Sequence, residues 1–286
     1  MVSVSQPVFI VGPYEQSEFR RPVDDLLGRG AHLAGDIGGA LKIVESGYSP
    51  ALLVVLQAWP GQFSSSNFDE LRRACPLARI VRVLVPWMEG ELRTGRPVPG
   101  TLRVYWHEAS AFIACQLQHL ATGGLSDWTL PVTANEQDRL IAKLDAEGIP
   151  ARQTETAPVL TKSMAIHAKH LETAESLMEL CNACGWRGQW LREIEPALVK
   201  SFDALIVDYS RGAPSAAAVL SKLRSLGGSL PTLVLVGFSR QDEIDQLHSA
   251  GAAAVLRKPF SIEEFKWHVG EVLIGTDASG PRSTRV

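Results

Sequence analysis

The stretch Ala250–Phe265, AGAAAVLRKPFSIEEF, decides the fold. It reads as a helix end, a buried strand and the start of a second helix. Gly251 closes a helix that begins near Arg240, because glycine accepts the left-handed conformation after a helix without a Cβ penalty. Ala252 to Leu256 is an apolar run of strand length, too short for another helix. Lys258 and Pro259 end the strand, since proline has no N–H for a ladder and biases the preceding residue toward an extended backbone. Ser261, with Glu264 three residues later, makes a capping box for the next helix, carried by Ile262, Phe265, Val269 and Leu273. A lysine is therefore expected at the carboxyl end of a buried strand, where open α/β sheets place their chemistry.

Two more buried strands lead to the same edge. Phe202–Ser210, FDALIVDYS, delivers Asp208 there, and Pro231–Val236, PTLVLV, lies between the two. Together DALIVD, PTLVLV and AGAAAVLRKPF resemble the receiver domain of two-component response regulators, over residues 160 to 275. The resemblance implies a flavodoxin-like (CheY-like) doubly wound parallel sheet. It also implies that Asp208 holds the phosphoacceptor position and that Lys258, before Pro259, is the lysine that contacts the phosphoryl group.

Measured against that family, several parts of the site are altered. Receivers end their first strand with paired acids that hold Mg²⁺. Here that strand is Ser163–Ile166, and counting back from Gly185 puts Ala168 and Lys169 at the acid positions. The loop holds no Asp or Glu before Glu172. Val236 falls where the family has a hydroxyl residue, and Val255 where it has the switch aromatic. A valine cannot hydrogen-bond a phosphoryl oxygen. The domain therefore reads as a degenerate, or pseudo-, receiver that lacks a cofactor. Lys169 is expected beside Asp208, with Lys258 on the other side, two cations favouring the ionised carboxylate. The alternative is a working response regulator phosphorylated on Asp208, the one case in which Mg²⁺ would be needed.

With 286 residues and 45% hydrophobic content, the chain is long enough for two globular domains. A net charge of −3 gives no electrostatic ground for nucleic acid or a membrane surface. No apolar run approaches the ~20 residues of a membrane-spanning helix. The start, MVSVSQPVFIVG, lacks a basic region and a cleavage site and reads as a strand. Four cysteines suit a reduced cytoplasm.

The N-terminal half alternates in the same way. Strands are expected at Val8–Gly12, Ala51–Gln57, Arg79–Val85 (nearer an edge, because arginines interrupt it) and Thr101–Trp106. Helices are expected around Phe19–Leu33, disturbed by Pro22, and at Ser64–Ala74 and Ala109–Leu120. Such alternation predicts a parallel sheet with helices on both faces. The organisation expected is a diverged receiver-like domain over 1–122 and a linker over 123–158 with one helix capped by Thr133 and Glu136. A receiver-like domain over 159–275 and a disordered tail over 276–286 follow. The halves also overlay as a duplication that sets Val55 against Asp208 and His107 against Lys258, leaving no acceptor in the first copy.

Competing constellations are present. Cys181 and Cys184, with His167 and His170, have zinc-like spacing, but a helix about 20 Å long separates the pairs. The tryptophans are not interleaved with basic residues as a nucleic-acid platform requires. Ile262, Phe265 and Trp267 of the last helix mark a candidate partner face. The function expected is signal transduction by protein–protein contact, without turnover. The partner would be a histidine kinase, another regulator or a second copy, and a small ligand at the N-terminal strand ends is a third reading.

Overall fold

The computed structural model describes residues 8–88, 98–122, 162–194, 201–209, 218–221, 230–237 and 239–277, with single residues 90, 128, 130, 131, 134 and 138. The chain divides into two compact units, Met1–Ala151 and Arg152–Val286. That division falls inside the segment expected as a linker. The linker helix with Thr133 and Glu136 lies outside the described residues, except for isolated positions, as does the tail after Asp277.

The first unit is a five-stranded parallel sheet in the order β2-β1-β3-β4-β5. Its strands are β1 (Val8–Val11), β2 (His32–Gly35), β3 (Leu52–Gln57), β4 (Arg79–Leu84) and β5 (Leu102–Tyr105). Helices α1 (Ser17–Gly28), α2 (Ile37–Glu45), α3 (Ser65–Ala74) and α4 (Ala109–Thr122) connect or follow them. β3 is buried throughout, as the run LLVVLQ requires of a strand covered on both faces. Ser64 starts α3 with a capping box to Asn67.

Two expectations for this half are corrected. The region Phe19–Leu33 is not one helix. α1 begins at Ser17, runs through a buried Pro22 and stops at Gly28; Gly30 then turns the chain at φ 87° into the edge strand β2. With only four residues, three of them exposed, β2 gives no periodic signal. β4 is not at an edge, since it pairs with β3 on one side and β5 on the other. Its Arg82 is fully buried and donates to the side-chain oxygen of Gln57 from Nε at 3.0 Å and Nη2 at 2.6 Å.

The second unit repeats the architecture in the order β7-β6-β8-β9-β10, all parallel. Its strands are β6 (Lys162–His167), β7 (Trp186–Trp190), β8 (Ala204–Asp208), β9 (Thr232–Val236) and β10 (Ala254–Arg257). Its described helices are α5 (Leu171–Ala183), α6 (Gln241–Ala250) and α7 (Ile262–Asp277). Numbered within each unit, both sheets run 2-1-3-4-5, the flavodoxin-like winding. In this unit Met164, Ile166, Ala204, Ile206, Leu233, Leu235, Ala254 and Leu256 form one core with Ala174 and Leu177 of α5 and Phe265, Val269 and Val272 of α7. β7 had no sequence expectation. Its alternation of half-buried Trp186, Gly188 and Trp190 with exposed Arg187 and Gln189 is that of an edge strand lying over a helix.

Candidate functional site

β8 is five consecutive buried residues and ends in Asp208. β10 leaves its last rung where the Lys258 amide donates to the Val236 carbonyl at 2.8 Å. The chain then turns through a cis Lys258–Pro259 peptide into α7. That helix is started as its sequence dictates: the Glu264 amide donates to Ser261 Oγ at 3.1 Å, and the Ser261 amide donates to the Glu264 carboxylate at 2.8 Å. Gly251, at φ 106°, closes α6 ahead of the strand.

This scaffold brings Asp208 and Lys258 together. Lys258 Nζ donates to Asp208 Oδ1 in a direct ion pair. The carboxylate side chain is 4% exposed and the lysine side chain 36%, so the acid is enclosed while the ammonium reaches solvent. Asp208 follows the parity of Ala204 and Ile206 and so lies on the sheet face covered by α5 and α7.

The other positions compared with the receiver site lie as follows. β6 pairs with β8 as Ile166 to Ile206 and His167 to Val207, which brings Ala168 level with Asp208. Ala168 is buried. Lys169 is exposed, one residue farther on, and makes no ion pair with Asp208 among the described residues. A direct pairing with Asp208 is therefore not formed: successive residues point to opposite sides at the strand end, and the inward one is Ala168. Val236 and Val255 are both buried, Val236 level with Arg257 and Val255 with Val234. Neither offers a hydrogen-bonding group to the strand-end site.

A divalent cation does not fit this donor set. Among the described residues one carboxylate is present and one of its oxygens is occupied by Lys258, while Ala168 contributes a methyl group. Among the described residues no group of three or more His, Cys, Asp and Glu is placed to hold a metal. The Cys–His combination is likewise not assembled. Cys181 is buried in the core, and burial, then the neighbouring Cys184, pushes its thiol up to about 12; burial also raises Cys184, against the lowering effect of Lys266. Neither cysteine is disposed to ionise as a ligand or nucleophile. His167 instead bonds through Nδ1 to the Leu191 carbonyl at 3.0 Å.

On α7 the three residues marked as a partner face separate. Ile262 is exposed, and Trp267 is half-buried with its ring edge-on to His268 at 4.8 Å. Phe265 is corrected: it is fully buried and stacks on Phe260 at 5.8 Å, because it shares a helical stripe with Val269 and Val272.

In the first unit the register moves the equivalent site by one residue from the overlay. The last amide donating to β4 is that of Trp106, onto Leu84; the last donating to β9 is that of Lys258, onto Val236. Val83 is level with Leu56 through the β3–β4 pairing, as Leu235 is level with Asp208. The counterparts of Asp208 and Lys258 are thus Leu56 and Trp106, not Val55 and His107. Val55 points into the core under α2 and α3, on the opposite face. A one-residue slip exchanges the faces of a strand. The position matching Ala168 is Gly12, and a Cβ there would lie 2.5 Å from the Leu56 carbonyl oxygen. All three matched positions, Gly12, Leu56 and Trp106, are buried and none carries an acid.

No family model and no curated protein matches the chain. Solved structures do. The receiver domain of the Francisella response regulator 1452 covers 41% of this chain and 99% of its own, at 17% identity and a TM-score of 0.37. A response regulator from Thermotoga maritima covers 40% and 99%, at 19% identity and 0.35. A response regulator receiver domain protein from Clostridium thermocellum covers 41% and 98%, at 13% and 0.36.

Proposed function

We infer that the second unit is a receiver-type signalling module that acts through protein contact and not through magnesium-dependent phosphorylation. The observation that carries this reading is the enclosed Asp208 carboxylate, already paired with Lys258, facing Ala168 at the position level with it. An aspartyl phosphate needs its negative charge neutralised where it forms, and among the described residues Asp208 is offered one lysine and no second carboxylate for a metal. The ion pair joins the carboxyl ends of β8 and β10 directly, so these ends are linked without a phosphoryl group. The outward side of α7, with exposed Ile262 and half-buried Trp267, is the surface offered to a protein partner. Among the described residues no helix is long and apolar enough to cross a membrane.

The test is incubation of the full chain with acetyl phosphate and Mg²⁺, followed by intact-mass spectrometry. An unchanged mass is expected. A phosphoryl adduct lost in Asp208→Asn would overturn the reading and make the chain a working receiver.

A further inference from the structure

In the second unit the loop between β6 and α5 faces Asp208 and carries no carboxylate that a metal could organise. It is held from the other side. The Leu191 amide donates to the Ile166 carbonyl at 2.8 Å, His167 Nδ1 bonds the Leu191 carbonyl at 3.0 Å, and the Trp190 indole Nε1–H donates to the Ala168 carbonyl at 3.1 Å. Three successive residues of the loop entry, Ile166, His167 and Ala168, are thus tied to two successive residues at the end of β7.

The end of β7 is itself firmly placed. Gly188 lies so close to α5 that a Cβ on it would fall 2.9 Å from Met178 Cα and 2.9 Å from Ile166 Cδ1. On either side of it Trp186 and Trp190 pack on the core, Trp186 with its ring 6.1 Å from Phe265. The pattern Trp186-x-Gly188-x-Trp190 therefore seats an edge strand against a helix and aims an indole donor at one carbonyl.

We propose that this clasp is a conformational device: Trp190 is a positioning residue that fixes the β6–α5 loop in one arrangement opposite Asp208, with or without a divalent cation. The proposal rests on the metal-independent reading of the site and gives it a cause. A carbonyl held by an indole cannot swing to a new partner without breaking that bond. Loop order then comes from β7 and not from an ion.

Hydrogen–deuterium exchange on the full chain tests it. Trp190→Phe keeps an aromatic ring but removes the donor, and Trp186→Phe removes an indole from the same face without touching the loop. The expected result is exchange at residues 168–171 faster by about five- to tenfold in Trp190→Phe, the effect of one lost hydrogen bond, with those residues unchanged in Trp186→Phe. Unchanged exchange in Trp190→Phe, or equal acceleration in both variants, would overturn the clasp. So would a change in wild-type exchange at 168–171 on adding Mg²⁺ alone. These readouts do not depend on whether Asp208 takes phosphate, which the mass measurement decides separately.

Discussion

Asp208 and Lys258 are bonded to each other but differ in what each loses when the other is removed. Asp208 is enclosed, so without Lys258 it loses the one cation paired with it among the described residues; Lys258 without Asp208 keeps its contact with water. Lys258→Met is accordingly expected to destabilise the second unit more than Asp208→Asn, by about 1–2 kcal/mol in urea unfolding, discounted for the exposed side of the pair. Equal losses would mean that the carboxylate is not enclosed in solution. A second acid has the opposite exposure. Asp203 accepts from the Ser163 amide at 2.8 Å, Ser163 Oγ at 3.1 Å and Lys162 Nζ at 3.3 Å, joining the starts of β6 and β8. Burial pushes its carboxyl up, but these bonds outweigh burial and hold it below the ordinary 3.8. The folded carboxyl then titrates below the unfolded one, so the unfolded chain binds more protons in that window and stability falls as the pH drops through it. Thermal midpoints followed from about pH 5 to pH 3 should fall more steeply in the wild type than in Asp203→Asn.

At the level of elements, two glycines separate packing from propensity. Gly188 in β7 has no room for a methyl group against the α5 backbone, whereas nothing lies within 4 Å of a Cβ at Gly270 on α7. Gly188→Ala should cost about 1–3 kcal/mol through overpacking, while Gly270→Ala should add up to about 1 kcal/mol through helix propensity. Chemical denaturation of the two variants reads both signs. The elements also show where sequence reading stops. β3, β8, β9 and β10 are runs of aliphatic residues because both faces are covered, and they are legible for that reason. β2 and β7 are edge strands of four and five residues, and glycine and exposed polar positions dilute their pattern below recognition. Phe265 shares a short stretch with the partner-face candidates Ile262 and Trp267, yet helical periodicity sets it among Val269 and Val272. The signal for the clasp, Trp-x-Gly-x-Trp, was present, but its meaning depends on β7 lying beside β6, which no local pattern gives.

Across the whole chain, the alternation of strands and helices announced two α/β units, and the second strand-end site was legible through Asp208 and Lys258. The first site was not. The overlay of the halves sets Val55 against Asp208 and His107 against Lys258, but the counterpart of Asp208 is decided by which residue is level with it across the sheet, and that is a matter of register. Of the adjacent pair Ala168 and Lys169, register sets Ala168 level with Asp208, and because adjacent residues face opposite ways along a strand end Lys169 is the exposed one.

The closeness of Gly12 to Leu56 bears on the history open to this chain. With its backbone at φ 120° and the Leu56 carbonyl where a side chain would begin, position 12 rejects an acid by shape before charge is considered. Gaining an acceptor at position 56 would not be enough, since its metal-binding companion has no room to arise. An acid placed at position 56 would stand alone for as long as the Gly12 backbone keeps this approach.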